Sequence, residues 1–172
     1  MIGVAQDAQG ETRVRPVVEA AAIEFPVLID RASRLAADFG FQVTPAGVFL
    51  DATGTVRYMH GSPLQQFDVI DPRVQLNLDE FLGGATPRAI EHEPGFRPEV
   101  RSAFAAGAKQ IAEGDAEAAV KTWREALDLD PDNFLIRSQI WAAENPDRFW
   151  PAVDREWQQA QLVREGYDKP LP

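Results

Sequence analysis

The sequence predicts an α/β domain followed by an all-helical extension, and three features of its 172 residues indicate this division. In residues 1–82, short apolar runs rich in β-branched residues alternate with helical patterns, which is typical of successive strands and helices. Residues 83–98 are rich in glycine and proline and lack periodicity, which predicts a linker. Residues 99–172 consist largely of strong helix formers, which predicts a helical unit.

The first domain is predicted to open with a buried strand over "MIGVA", followed by a turn at "DAQGE". A helix is expected over Thr12–Ile23, with Thr12 as its N-terminal cap and Pro16 in its first turn. The run "EFPVLID" predicts a second strand, because Pro26 stands at its start, where a missing N–H group is tolerated.

The remainder of this domain is predicted to contain a short helix, a β-hairpin and a further helix. The helix over "RASRLAADFGF" should end at Gly40, since glycine readily takes the left-handed conformation that stops a helix. Residues 52–54 form a turn between "AGVFLD" and "TVRYMH", so these runs are expected to pair as a hairpin. The further helix is expected at "NLDEFL".

The extension is predicted to form four helices. From Glu99 onward two helices are separated by a tight turn at "EGD", and Pro131 closes the second. The run "FLIRSQIWAAEN" predicts a third helix, and "AVDREWQQAQLVREG" predicts a fourth that stops at Gly166. Large aromatic side chains usually need burial, so the tail that carries three tryptophans should dock on the rest of the chain: Trp141, Trp150 and Trp157.

Composition and charge argue against several functions. The net charge is −10 with no basic run, so neither a nucleic acid nor an anionic membrane surface is an expected partner. The absence of cysteine excludes disulfides, thiolate zinc sites and cysteine nucleophiles. No apolar run approaches the roughly 20 residues of a membrane-spanning helix. No secretion signal is visible, so the compartment stays open, with the cytoplasm expected if Met1 is the true start.

The pieces "IGVAQD", "FPVLID" and "LAADFGFQVTPAGVFLDATGTVRYMHG" carry a family resemblance. Their order over residues 2–61 resembles the thioredoxin-like superfamily, in the redoxin branch of cytochrome-biogenesis thioredoxins and peroxiredoxins. The resemblance implies that Pro45 matches the family's cis-proline, which lies beside the reactive dithiol. It also implies that Asp51 matches the aspartate before the hairpin turn. The family's activity would be thiol–disulfide exchange or peroxide reduction.

The chain departs from that family at its beginning. In the family, a central strand and a helix with the reactive cysteine precede the strand that resembles "IGVAQD". That central strand lies between the strands that resemble "IGVAQD" and "AGVFLD". Three arrangements remain open: the sequence is a fragment, a second chain supplies the strand, or the remaining strands close up. We favour the fragment, because an empty gap would leave backbone hydrogen-bonding groups unpaired.

The run "AAGAKQIAEGDAEAAVKTWREALDLDP" resembles one tetratricopeptide repeat. Gln110 departs from the repeat, since a tyrosine is usual there. One repeat is rarely stable alone, so the unit should lean on the first domain or on the tryptophan-bearing tail. The repeat's small, aromatic and proline positions are matched by Gly107, Gly114, Ala119, Trp123, Ala126 and Pro131.

Two peptide-contact regions are predicted. The first is the proline loop, which consists of Val43, Thr44 and Pro45, and whose backbone could pair with an extended peptide. Without a thiolate this loop cannot perform thiol–disulfide exchange. The second is a groove between the repeat-like helices, although apolar residues at helical spacing are more often simply core. The groove hypothesis names Phe104, Trp123, Leu127, Ile136 and Ile140.

No catalytic, cofactor-binding or metal-binding residue is predicted. Asp7, Asp30 and Asp51 each follow a predicted strand, and turn or cap roles are expected for them. His60 and His92 fall in different segments, and the "EHEP" run around His92 suits a solvated linker better than a metal site. The sequence has neither a G-x-S-x-G elbow nor a glycine-rich phosphate loop.

Three functional hypotheses follow. The chain is a truncated or non-catalytic member of the redoxin family, without thiol–disulfide oxidoreductase activity of its own. Alternatively, it is a binding module whose partner is a protein, a peptide or a second chain that completes the sheet. In the third hypothesis, the helical half only stabilises the first domain.

Overall fold

The computed structural model describes residues 1–60, 67–68, 70–85 and 96–167, which form a mixed α/β fold. The described strands are β1 (Gly3–Ala5), β2 (Val27–Ile29), β3 (Gly47–Leu50) and β4 (Val56–His60). The described helices are α1 (Glu11–Ala20), α2 (Arg34–Phe39), α3 (Pro72–Leu82), α4 (Pro98–Glu113), α5 (Ala116–Leu129), α6 (Phe134–Glu144) and α7 (Arg155–Arg164), with a short 3-10 helix at Pro146–Arg148. We refer to residues 1–85 as the β half and to residues 96–167 as the helical half.

The strands form two separate pairs. β1 and β2 pair in parallel, with Val4 opposite Leu28, and we call this pair the N-terminal sheet. β3 and β4 pair antiparallel as the predicted hairpin, with Phe49 opposite Tyr58. Among the described residues no hydrogen-bonded ladder joins the two pairs. The α/β class is therefore confirmed, and the remaining strands have not closed up into one sheet.

The first helix begins earlier than its sequence predicts. Its N-terminal cap is Gly10 rather than Thr12, so Pro16 lies in the second turn and not in the first. The preceding turn explains the shift: the Gln9 N–H donates to the Asp7 carboxylate at 2.8 Å, and the Gly10 N–H donates to the Asp7 carbonyl at 3.1 Å. Gly10 has φ of +80°, a conformation that a residue with a side chain rarely adopts.

The hairpin turn is organised by one carboxylate. Asp51 accepts hydrogen bonds from the N–H groups of Thr53 at 2.9 Å and Thr55 at 3.0 Å, and it pairs with Arg57 at 2.6 Å. These donors, with the Thr53 hydroxyl first among them, hold the pKa of Asp51 well below its usual range. The predicted turn role of Asp51 is therefore confirmed.

The helix after the hairpin is longer than predicted. It begins at Pro72, whose missing N–H costs nothing in a first turn, and Asp71 caps it by accepting from the Arg73 N–H at 2.8 Å. The sequence predicts only "NLDEFL" as helical in this region. The helix buries Val74 and packs on the hairpin through Phe81, whose ring lies 5.2 Å from that of Phe49.

The first two helices of the helical half are joined by the tight turn that the sequence predicts. Gly114 ends α4 in the left-handed conformation, and Asp115 caps α5 by accepting from the Ala118 N–H at 3.0 Å. The helices approach closely at Gly107, where an added Cβ atom would lie 2.2 Å from Trp123 Nε1. Trp123 Nε1 donates to the Phe104 carbonyl at 3.1 Å, which satisfies the only polar group of its side chain.

One hydrophobic core crosses the predicted linker. Residues of the β half, including Phe41 and Val43, pack in the same buried cluster as Phe104 and Trp123. Part of the predicted linker belongs to this core, since Phe96 is buried and its N–H donates to the Ala37 carbonyl at 3.2 Å. Residues 86–95 of that linker lie outside the described residues. Helices α4 and α5 thus pack against the β half, as the sequence predicts for this unit.

The tail also docks, and Trp141 is its buried centre. The Trp141 ring meets that of Trp157 edge-on at 5.8 Å, and its Nε1 donates to Glu165 at 2.6 Å. The same carboxylate pairs with the buried Arg137, so one acid satisfies two buried donors. Trp150 is half-buried, and the Arg13 guanidinium lies 4.5 Å from its ring centre. The predicted docking of the tail is confirmed.

Candidate functional site

The proline loop is anchored on one side and exposed on the other. Val43 is buried in the core, whereas Thr44 and Pro45 are exposed. The Thr44–Pro45 peptide bond is cis, and the Pro45 carbonyl accepts from the Phe67 N–H at 2.9 Å. Of the three predicted contact residues, Thr44 and Pro45 are therefore accessible to a ligand and Val43 serves the core.

A cleft of about 510 Å³ lies beside this loop. It is bounded by β1 and the residues that follow it, by α1 and the segment that leads into β2, by α6, and by α7 with the segment that precedes it. Most of its lining is aliphatic or aromatic, with a few polar groups among them. Residues from each wall include Gly3, Ala5, Val14, Val18, Thr44, Leu135, Phe149, Trp150 and Gln158.

One edge of β1 is open along this cleft. The Gly3 N–H donates to the Pro26 carbonyl at 2.9 Å, and the Ala5 carbonyl accepts from the Asp30 N–H at 2.8 Å, so both residues face β2. Backbone groups alternate in direction along a strand, so those of Val4 and Gln6 point to the other edge. No described strand pairs with that edge. The edge therefore offers donors and acceptors to an extended chain.

The N-terminal sheet also has an uncovered apolar face. Ile2 is 63% exposed and Leu28 is 57% exposed, and Leu28 lies opposite the exposed Val4 in the pairing register. Parallel sheets are normally covered on both faces by other elements. In the part of the chain that the structure describes, this sheet therefore has both an unpaired edge and an incompletely covered face.

Helix α6 holds the two sides of the cleft. The Ala8 N–H, just after β1, donates to the Gln139 side chain at 3.0 Å. The Gln42 carbonyl, before the proline loop, accepts from the Leu135 N–H at 3.0 Å. The positions of β1 and of the proline loop are thus both set by one helix of the helical half.

Two glutamine side chains of the cleft carry unsatisfied oxygen atoms. Gln158 is only 2% exposed, and its Oε1 has no hydrogen-bond partner among the described residues. The same holds for the buried Oε1 of Gln6. A buried acceptor without a donor costs about 1–3 kcal/mol, so such groups usually have a ligand or water as a partner.

The cleft contains two guanidinium groups and one carboxyl group. Arg13 and Arg155 line it together with Asp7. Burial raises the pKa of Asp7 above its ordinary value, and the N–H groups of Gln9 and Gly10 and the charges of Arg13 and Arg31 oppose that rise. Asp7 thus closes a turn as expected, and it also contributes to the cleft.

The residues of the predicted helical groove form core instead. Phe104, Trp123, Ile136 and Ile140 are each at most 2% exposed, and Leu127 is partly buried against them. A side chain must be accessible to contact a peptide, so these five residues offer no groove. Their helical spacing has the more ordinary cause, which is packing between α4, α5 and α6.

The remaining candidates do not converge on a site. Asp30 accepts from the N–H groups of Arg34 and Leu35 at the start of α2, which is the expected cap role. His60 is buried, with its Nδ1 3.0 Å from the Tyr58 hydroxyl, and His92 lies outside the described residues. Among the residues that the structure describes, no acidic and histidine side chains group as metal ligands.

None of the described helices has the length and apolar character needed to cross a membrane.

Comparisons with protein-family models, with curated proteins and with solved structures found no match to this chain. The functional assignment therefore depends on the cleft itself. Sequence patterns found the proline loop but missed Gln158 and Arg155. Glutamine and arginine on an apparently exposed helix carry no local signal, and only the fold brings α7 to β1.

Proposed function

We propose that this chain is a thioredoxin-like protein without thiol chemistry, and that it acts as a binding module for an extended polypeptide segment. The segment lies in the cleft and pairs with the open edge of β1. The observation that carries this proposal is that edge, which runs along a cleft of about 510 Å³. Addition of a strand to an open sheet edge is an established mode of peptide recognition.

The dimensions and lining of the cleft support a peptide as its occupant. Ligand sites commonly have volumes of about 300–1,000 Å³ and mostly apolar walls. Val4 and Gln6 would supply main-chain hydrogen bonds, while alternate side chains of the segment would contact Val14, Val18 and Phe149. The exposed Thr44 also lines the cleft, so the segment would pass beside the proline loop.

The order of elements supports the thioredoxin-like part of the proposal. A parallel pair joined through α1 is followed by a short helix, the proline loop and an antiparallel hairpin. In the resembled family, a further strand lies between those that match β1 and β3. A bound segment would occupy that place and would connect the two pairs into one sheet.

A proline substitution tests the open edge. Val4→Pro removes an N–H that points away from β2, so the pairing within the N-terminal sheet is retained. Ile29→Pro is the matched control, since it removes an N–H from the far edge of β2. The probe is a library of fluorescein-labelled hexapeptides, in which each position is fixed in turn as one amino acid, and binding is measured by fluorescence anisotropy.

We expect library members to bind the natural chain and the Ile29→Pro variant, and Val4→Pro to reduce binding at least about tenfold, since main-chain pairing is lost. Hydrogen exchange should slow at the Val4 and Gln6 amides when peptide is bound. Equal binding by both proline variants, or no binding by any library member, would contradict the proposal.

Redox assays test the other part of the proposal. A chain without cysteine has no thiolate to attack a disulfide or a peroxide. Insulin reduction and peroxide consumption should therefore remain at background with pure, cofactor-free protein. Turnover above background under those conditions would refute the assignment as a non-catalytic module.

A further inference from the structure

We propose that the segment bound in the cleft is acidic, with a carboxylate that pairs with Arg155 and Arg13 and an N–H donor that binds Gln158. This inference rests on the proposed function and adds the chemical class of the ligand. It is carried by the charges that line the cleft and by the unsatisfied amide of Gln158.

The cleft has the opposite charge balance to the rest of the chain. Its charged lining residues are Arg13, Arg155 and Asp7, so two cations face one acidic group. The whole chain carries a net charge of −10. An excess of guanidinium groups at a binding cleft of an acidic protein indicates an anionic group on the ligand.

Arg155 is available for such a group. Its side chain is exposed, and it forms no ion pair or side-chain hydrogen bond with any residue that the structure describes. In contrast, Arg148, on the preceding turn, forms an ion pair with Asp154 at 2.9 Å. A guanidinium group presents a planar set of donors that matches a carboxylate.

Arg13 is positioned by an aromatic face. Its guanidinium lies 4.5 Å from the Trp150 ring centre. A cation–π contact uses the charge of the guanidinium without using its N–H groups as hydrogen-bond donors. A second, smaller cavity of about 290 Å³ shares Arg13 and Trp150 with the cleft. The acidic end of a bound segment is therefore expected beside Trp150.

Gln158 supplies the second, independent observation. It is almost fully buried, and its Oε1 lacks a donor although it lines the cleft. The oxygen is buried in the unbound chain, so an amide or backbone N–H of a bound segment would satisfy it once the Gln158 side chain rotates toward the cleft. Gln6 adds a second unsatisfied acceptor at the end of β1. Both oxygens favour a ligand with N–H groups, which a polypeptide has and a fatty acid lacks.

The same features disfavour other occupants. A basic segment would place its charge against Arg13 and Arg155. A second copy of the chain could pair β1 with β1, but the run from Ile2 to Gln6 contains no carboxylate to meet these arginines. The inference therefore commits to a partner polypeptide with an acidic side chain or an acidic chain end.

The hexapeptide library tests the chemical class directly. Prepared with amidated C-termini, it reports preferences for acidic side chains; prepared with free C-termini, it reports recognition of a chain end. We expect sublibraries fixed as Asp or Glu to bind roughly threefold to tenfold more tightly than those fixed as Asn or Gln, or peptides with a free C-terminus to bind more tightly than their amidated forms by a similar factor. A preference for Lys or Arg, or no preference, would overturn the inference.

Protein variants test the residues. Arg155→Gln should abolish the difference between an acidic peptide and its amide counterpart, whereas Arg164→Gln, on the same helix but outside the cleft, should retain it. Gln158→Met should weaken binding roughly fivefold. Gln110→Met is its control, because Gln110 also has a buried, unsatisfied Oε1 but does not line the cleft. Thermal unfolding should show that both methionine variants remain folded.

The outcomes separate the two proposals. Peptides that bind the natural chain but not Val4→Pro, without an acidic preference or dependence on Arg155, would overturn only this inference. A library without binders would overturn the proposed function together with it. Concentration-dependent self-association that Val4→Pro abolishes, in the absence of peptide binding, would identify a second copy as the occupant and would also overturn the inference.

Discussion

The two halves of the chain differ in how completely they bury their apolar residues. In the helical half, Trp123, Phe104 and Ile136 are fully enclosed by neighbouring helices. In the β half, the shared core includes residues of α2 and the adjoining loops, but among the described residues it includes no side chain of β1 or β2. The N-terminal sheet instead has the exposed residues Ile2 and Leu28.

This difference shows which half acts as the scaffold. A pair of strands is marginally stable by itself and needs packing against other elements. Here α6 provides that support through Gln139 and Leu135. The helical half therefore supports the β half, in which the described strands leave one edge of β1 unpaired.

The largest expected effect tests whether the halves share one core. Trp123→Ala should lower the free energy of unfolding by about 3–5 kcal/mol, since a large buried aromatic ring is removed. Because the core crosses both halves, urea unfolding and hydrogen exchange should show weakened protection in residues 36–43 as well as in the helices. Leu129→Ala, at an exposed site on α5, serves as the control. Unchanged protection in residues 36–43 would mean that the halves are independent.

A smaller effect is expected at the close approach of α4 and α5. Gly107→Ala would place a Cβ atom 2.2 Å from Trp123 Nε1, and the resulting overpacking should cost about 1–3 kcal/mol in chemical denaturation. The background Trp123→Leu provides room for the added methyl group. In that background Gly107→Ala should cost much less, and an undiminished cost would show that the helix contact is not the cause.

The smallest expected effects have opposite signs at two carboxyl groups of the β half. Burial raises the pKa of Asp7 in the folded state, so folding stability falls as the pH rises through that pKa. Hydrogen bonds lower the pKa of Asp51, so its contribution is present above the unfolded value and is lost as the pH falls through the folded pKa.

Two substitutions measure this contrast. At neutral pH, Asp7→Asn should raise stability slightly, whereas Asp51→Asn should lower it, and both differences should diminish as the pH falls. Denaturation midpoints between neutral pH and pH 2 provide the measurement. Shifts of the same sign for the two variants would contradict the assigned environments.

Local chemistry made the element order predictable. Gly40 and Gly114 end helices where the sequence indicates, and the Asp51 turn forms the expected hairpin. The α1 boundary differed because the Asp7 turn makes Gly10 the cap, an interaction that propensity does not reveal. The start of α3 differed because proline is compatible with both a loop and a first helical turn.

The site was less predictable than the fold, for a physical reason. Thr44 and Pro45 are recognisable because they belong to one short pattern. The cleft instead combines β1 with Arg155 and Gln158, which are separated from it by most of the chain and meet only through packing. The groove hypothesis was wrong for a different reason. Apolar residues at helical spacing, such as Phe104 and Ile140, form either a buried core or an exposed apolar surface, and the spacing alone does not distinguish the two.

The attachment of both cleft walls to α6 has an energetic consequence. Leu135 and Gln139 are one helical turn apart, so a rigid element fixes the separation of β1 from the proline loop before any segment arrives. In the proposed binding mode, this attachment preorganises the cleft, so less conformational entropy is lost on binding than if both walls were mobile. Substitutions at Gln139, which also lines the cleft, should therefore change affinity partly by altering the position of β1 relative to the proline loop.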